Sequence, residues 1–190
     1  PRHDGPMHPT EVDKEEATDL VILRRAEFLQ VLEPLYDQYN LDVSLLHKTD
    51  DNSPQQLAFA FITDTQAYPL LSPRKRLERF ALACFYYSTY RQSNPYTPQP
   101  SDWSSEHQWM LHYDVCVWQG VYCHVEENGH VWEIRLGSNR LSGGLPMELV
   151  LIQELKVIWL PNNFLHVSSH DARLFGLLPR LEVLDLNDNY

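Results

Sequence analysis

The sequence is short of positive charge: 15 Lys and Arg stand against 26 Asp and Glu, a formal net charge of −11. A surface that tracks phosphates needs the opposite balance, so no nucleic-acid partner is expected. The basic cluster Arg74-Lys75-Arg76 with Arg79 opens a predicted helix and reads as a solvated face rather than a phosphate site. The chain has no run of apolar residues long enough to cross a bilayer as a helix. It has no N-x-[ST] sequon, so N-glycosylation is not expected. Motifs of catalysis are missing too: there is no G-x-S-x-G elbow, no phosphate-cradling G-x-x-x-x-G-K-[ST] loop and no H-E-x-x-H helix. His107, His112, His124 and His130 are candidates for a metal or acid–base site, but no spacing ties them together. The expectation is no enzyme, no cofactor and no metal.

What the sequence has is a pattern that repeats. Val131–Leu141 (VWEIRLGSNRL), Leu155–Leu165 (LKVIWLPNNFL) and Leu181–Tyr190 (LEVLDLNDNY) share one template, with first positions 24 and then 26 residues apart. Columns one, four and six are apolar in every copy: Val131, Ile134, Leu136; Leu155, Ile158, Leu160; Leu181, Leu184, Leu186. On a short strand with flanking turns these positions point inward. Asn139, Asn163 and Asn189 fall in register, and an inward Asn can bond backbone groups that a turn leaves unpaired. This is the leucine-rich-repeat frame, whose copies cannot bury their apolar faces alone and stack into a solenoid. Positions between the buried columns should then be open to water: Glu133, Arg135, Gly137; Val157, Trp159, Pro161; Val183, Asp185, Asn187. Trp159, flanked across the stack by Arg135 and Asp185, is the leading candidate for a binding hot spot. The alternative is that it packs on neighbouring strands.

The N-terminal half reads as helical and does not repeat. Residues 1–9 carry prolines and no apolar pattern, the character of a tail. Glu11–Tyr36 is acidic first and then apolar at Val21, Phe28, Leu32 and Leu35, which predicts one long helix perturbed by Pro34. Ser53-Pro54-Gln55-Gln56 combines a capping Ser, a first-turn Pro and a Gln at the capping-box position. Ser72-Pro73 repeats the start signal before the stripe Leu77, Phe80, Ala81, Cys84 and Phe85. On that stripe Cys84 reads as a small buried hydrophobe. Pro95, Pro98 and Pro100 predict a closing loop. Aromatic residues follow: Tyr86, Tyr87, Tyr90, Tyr96, Trp103, Trp109 and Tyr113. They either line a sugar-binding cleft or join the helices to the repeats, and the second is favoured for Trp103 and Trp109.

Three segments carry a family resemblance. Leu141-Ser142-Gly143-Gly144-Leu145-Pro146-Met147-Glu148-Leu149 resembles the L-S-G-x-[IL]-P-x-x-L segment of plant-type extracellular leucine-rich repeats. The second copy has His166-Val167-Ser168-Ser169-His170 instead, so its convex side is expected to be irregular or to carry a short helix in place of the extra strand. Cys116-Val117-Trp118-Gln119-Gly120-Val121-Tyr122-Cys123, followed by Gly129-His130-Val131, resembles the cap that opens plant-type arrays. That resemblance implies a Cys116–Cys123 disulfide, with Trp118 and Val121 sealing the first coil, and so an oxidising compartment. A metal pair completed by His124 and His130 is the alternative, at a spacing unlike the common zinc knuckles. Upstream, Ser53-Pro54-Gln55 with Ala58, then Arg79–Ala83, Phe85–Thr89, Trp103 and Trp109 are similar to the ectodomains of diatom leucine-rich-repeat proteins. This likeness covers Ser53 to Tyr190 and departs at Tyr90-Arg91-Gln92-Ser93-Asn94, where those proteins are Gly-rich. Many of them resemble type II membrane proteins, which implies an anchor upstream of Pro1.

The expected fold class is α+β: a disordered tail (1–10), a helical region (11–100), a cap (101–130) and leucine-rich repeats (131–154, 155–180 and a partial 181–190). The last copy stops at Tyr190 without a polar capping repeat, and the native protein is expected to continue. The expected function is non-catalytic recognition in a secreted or cell-surface protein. Protein, peptide or glycan would bind the concave strand face through Glu133, Arg135, Val157, Trp159, Asp185 and Asn187. The alternative is a structural subunit of a larger complex, in another oxidising space such as a plastid lumen, docking through Val21, Phe28, Leu32 and Leu35.

Overall fold

The computed structural model describes residues 11–47, 52–65, 67–90, 103–125 and 129–190. The expected tail and the loop containing Pro95, Tyr96, Pro98 and Pro100 lie outside the described residues. Helices come first: α1 (Glu11–Gln38), α2 (Ser44–His47), α3 (Pro54–Asp64) and α4 (Pro73–Thr89). Pro34 lies inside α1 at an exposed position, where its missing N–H removes one ladder bond without opening the core. Both predicted caps form: Ser53 Oγ accepts the Gln56 N–H and Ser72 Oγ accepts the Lys75 N–H, each at 3.3 Å.

The helices meet around Phe28. Its ring stacks on Phe59 at 5.8 Å and meets Phe80 edge-on at 5.6 Å. Phe28, Leu32 and Tyr36, one turn apart along α1, are all buried. The apolar face of α1 expected to dock on a partner is therefore largely used inside this chain. The basic cluster also departs from expectation. Arg79 is fully buried, and its guanidinium donates to the carbonyls of Leu111 and Tyr113 while lying over the Phe61 and Trp118 rings. Burial lowers its pKa to about 10, the neighbouring Asp114 opposing, so it keeps its charge at neutral pH.

After the helices come β1 (Val121–Cys123), β2 (Val131–Arg135), β3 (Ser142–Gly143), β4 (Val157–Trp159), β5 (Phe164–Leu165), α5 (Ser169–Gly176) and β6 (Val183–Asp185). One sheet has the order β1-β2-β4-β6, with β1 antiparallel to β2 and the other pairs parallel. The 24- and 26-residue periods bring equivalent positions into register: Ile134 pairs with Ile158 and Ile158 with Leu184. β3 and β5 pair in a second, parallel sheet. The second copy thus carries the short helix that was one of its two expected forms, but the helix does not replace the extra strand: β5 is present as well. Asp171 explains the helix: its carboxylate accepts from the Ser168 N–H at 2.5 Å and the Ser168 hydroxyl at 2.9 Å at the α5 start.

Helices and repeats share one core. Glu148, on the helical turn Met147–Leu151, is buried and accepts from the Tyr36 hydroxyl at 2.8 Å and Gln55 Nε2 at 3.1 Å. Its side chain thereby holds α1 and α3 to the first repeat.

Candidate functional site

The asparagines stack the strands. Asn163 Oδ1 accepts the N–H groups of Asn139 (2.9 Å) and Leu141 (3.0 Å), while its Nδ2 donates to Leu136 O and Leu160 O. Asn189 repeats this one copy on, accepting from Leu165 N at 3.0 Å and donating to Leu160 O at 2.9 Å. Asn139 has no earlier copy to bond. It accepts from Ser105 N at 2.7 Å and donates to Ser105 O at 2.9 Å, so this segment stands where a preceding coil would.

The Cys116–Cys123 disulfide is present, with Cα atoms 5.5 Å apart, and Cys84 is free and buried. Trp118 and Val121 are buried. Trp118 lies 4.9 Å from Trp109 and 6.3 Å from Phe61, tying the bridged loop to α3. Trp103 and Trp109 are buried with it and meet Phe85, so they sit in the junction and do not line an open cleft. Lys75 crosses to the loop, donating to the Gly129 carbonyl and approaching Cys116 Sγ at 3.3 Å.

Outside the buried columns, the sheet presents rows across the strands. Arg135, Trp159 and Asp185 are register neighbours on β2, β4 and β6. Trp159 is 37 % exposed. Its indole leans over Gly137, where a Cβ would stand 2.5 Å from Cζ3, and the Arg135 guanidinium lies 5.9 Å from its ring centre. Asn187 is exposed and its N–H donates to Asp185 Oδ1 at 3.0 Å. The row therefore carries a cation, an aromatic face and a carboxylate in sequence.

Two expected site residues are not open. Glu133 is only 3 % exposed and Val157 9 %. Glu133 sits between Tyr122 of β1 and Val157 of β4, and Arg135 folds back to bond its carboxylate. That bond raises the Arg135 pKa. Val157 lies between Glu133 and Val183 in the next row. Beside Glu133, β1 adds a neighbour that the repeat template alone does not contain. Exposed Tyr122 is correspondingly a surface residue that the repeat columns missed; alternation within VYC from inward Val121 was the available signal.

The histidines have separate roles. His112 Nδ1 lies 3.0 Å from Thr65 Oγ1, His130 Nδ1 bonds buried Glu78 at 2.8 Å, and the His124 ring lies tilted beside that of Trp132 at 5.7 Å. Among the described residues, the one grouping of three metal-ligand side chains is Asp114 with Cys116 and Cys123, whose sulfurs are joined to each other. No described helix is long and apolar enough to cross a membrane.

No family model matches the chain. The sequence is 30% identical over 124 residues to phytosulfokine receptor 1 of Arabidopsis thaliana, covering 57% of this chain and 12% of that protein. It is 32% identical over 94 residues to receptor-like kinase TMK4 of the same plant, covering 50% of this chain and 9% of the relative. The chain thus spans a small part of either relative. A crystal structure of the BIR3–SERK2 complex from Arabidopsis thaliana matches with a TM-score of 0.35 at 29% identity, over 45% of this chain and 44% of that one. The sequence relatives are plant leucine-rich-repeat receptor kinases, in line with the plant-type character of the repeats.

Proposed function

We propose that this chain is the opening part of a leucine-rich-repeat recognition ectodomain, binding a protein or peptide reversibly on the outer face of its parallel strands. In this reading residues 101–130 cap the first coil, 131–154 and 155–180 are complete repeats, and 181–190 begins a third. The observation that carries it is the register row Arg135–Trp159–Asp185, an exposed aromatic between opposite charges on three stacked strands. A part-exposed tryptophan beside an arginine is the composition of interface anchors. The relatives are receptors by name, which supports a protein or peptide ligand over a glycan on this face. The disulfide supports a secreted or cell-surface setting. The likeness to diatom ectodomains and an anchor upstream of residue 1 belong to this reading as well. No chemistry is assigned to the chain itself.

Peptides selected from a displayed library on the folded protein test the proposal. Their binding, followed by biolayer interferometry, should weaken by on the order of tenfold or more in Trp159→Ala and Arg135→Ala, a loss of about 1.4 kcal/mol or more. Leu23→Asp, a change at an exposed α1 position, should leave it unaltered. Selected peptides indifferent to both strand substitutions would place recognition elsewhere.

A further inference from the structure

A second concavity, remote in sequence from the strand row, lies where α3 meets the segment after Trp109. It is a shallow, open concavity of about 300 Å³, lined by Leu57, Ala60, Phe61 and Asp64 of α3, Thr65, Tyr87 of α4 and His112. We propose that it is a binding site for a single neutral sugar residue, such as one ring of a glycan.

The site is held in shape by buried groups. Arg79, fully buried, donates to the carbonyls of Leu111 and Tyr113 and so fixes the backbone on both sides of His112. Thr65, also buried, fixes the imidazole. Its Oγ1 accepts the Ala67 N–H at 3.3 Å and shares a hydrogen bond with His112 Nδ1 at 3.0 Å. That contact occupies Nδ1 and leaves His112 Nε2 as the ring nitrogen available to a ligand, a donor or an acceptor according to the tautomer. Asp64 is exposed: its Oδ1 lies 3.4 Å from the Thr63 hydroxyl and, among the described residues, it meets no cation at ion-pair distance, so its carboxylate keeps further acceptor capacity.

Charge decides the ligand class. A cation is disfavoured because the Arg79 guanidinium already lies 4.9 Å from the Phe61 ring centre, so a second positive charge at that ring would meet the first. An anion is disfavoured by Asp64 itself. A neutral ligand that presents hydroxyls to the carboxylate and the imidazole, and C–H groups to aromatic walls, satisfies all the lining groups at once. A sugar ring does this: its hydroxyls donate to Asp64 and bond His112 Nε2 in either tautomer, since a hydroxyl both donates and accepts, while its apolar face lies on Phe61 or Tyr87. The volume is at the small end for ligand clefts and suits one ring rather than a folded peptide segment.

Saturation-transfer NMR on the intact chain, with methyl glycosides of glucose, galactose, mannose, xylose and N-acetylglucosamine as probes, tests this. At least one glycoside should receive saturation on its ring C–H protons. Asp64→Asn and Tyr87→Ala should weaken its binding by on the order of tenfold, Tyr87→Phe should retain it, and Trp159→Ala should leave it unchanged. The last result separates this site from the strand row. Circular dichroism identifies variants that have lost the fold, and Tyr87→Phe with Asp64→Asn then carry the test. The proposal is overturned if no glycoside receives saturation at millimolar concentration. Binding that survives Asp64→Asn and Tyr87→Ala overturns it too, as does Asp64-dependent binding of Nα-acetyl-lysine methyl ester without any glycoside.

Discussion

Asn163 closes a turn that belongs to another copy: its Oδ1 accepts the backbone N–H of Asn139, 24 residues earlier, at 2.9 Å. The same side chain also serves Leu141 N, Leu136 O and Leu160 O, all buried. Asn163→Ala strands several backbone groups at once and should lower the unfolding free energy by about 2–4 kcal/mol. Asn189 bonds the same types of partner but is only half-buried, so water can replace part of what Asn189→Ala removes. Urea titrations followed by circular dichroism should rank Asn163→Ala well below Asn189→Ala. Equal losses would show that the asparagine contacts do not govern stacking.

Glu148 makes stability depend on pH. Desolvation by burial raises its carboxyl above the ordinary 4.5, against the lowering effect of hydrogen bonds from Tyr36 and Gln55. Desolvation also raises buried Glu78, against the charges of Lys75 and His130. The folded chain then keeps protons that the unfolded chain has released. Between the ordinary carboxylate range and the raised folded values, these groups make stability fall as pH rises. Glu148→Gln removes one of them while leaving an oxygen for the Tyr36 hydroxyl. Its Tm, measured across that pH range, should decline less steeply than that of the parent chain.

The Cys116–Cys123 bridge closes a loop of sequence separation 7. On the chain-entropy account its loss in a Cys116→Ser, Cys123→Ser double variant costs about 2–3 kcal/mol. Peptide mapping of unreduced protein should find these two cysteines linked and Cys84 as the free thiol. Three free thiols in natively isolated protein would remove the case for an oxidising compartment.

What was legible in the sequence was whatever repeats or follows local rules. Ile134, Ile158 and Leu184 align because the period is nearly constant, and Ser53 and Ser72 cap because Ser-Pro sets a helix start. The burial of Arg79 was not legible. Its carbonyl partners at Leu111 and Tyr113 lie more than thirty residues away, and a basic run is ordinarily solvated. Glu133 failed for a related reason, since its cover comes from Tyr122 and from Arg135 folding back. The site around His112 has no motif at all, being assembled from α3, α4 and a loop with no common period.

Gly143 of β3 runs close against the end of α4. It has φ +96°, and a Cβ there would stand 2.3 Å from the Ser88 carbonyl oxygen at the end of α4. Neither the backbone angle nor the approach admits a side chain, because the obstacle is main chain and not a flexible tip. Gly143→Ala should therefore cost about 3 kcal/mol and loosen α4 from β3. The adjacent Gly144 has nothing within 4 Å of its Cβ position, so Gly144→Ala should stay within about 0.5 kcal/mol of the parent. Paired denaturant titrations, with hydrogen exchange on β3 and the last turn of α4, read this directly. Loss of protection on both elements in Gly143→Ala alone would mean that the helices brace the first repeat. If instead β3 stayed protected while α4 exchanged, the strand stack would hold its shape without them, and the helical half would be an appendage to it.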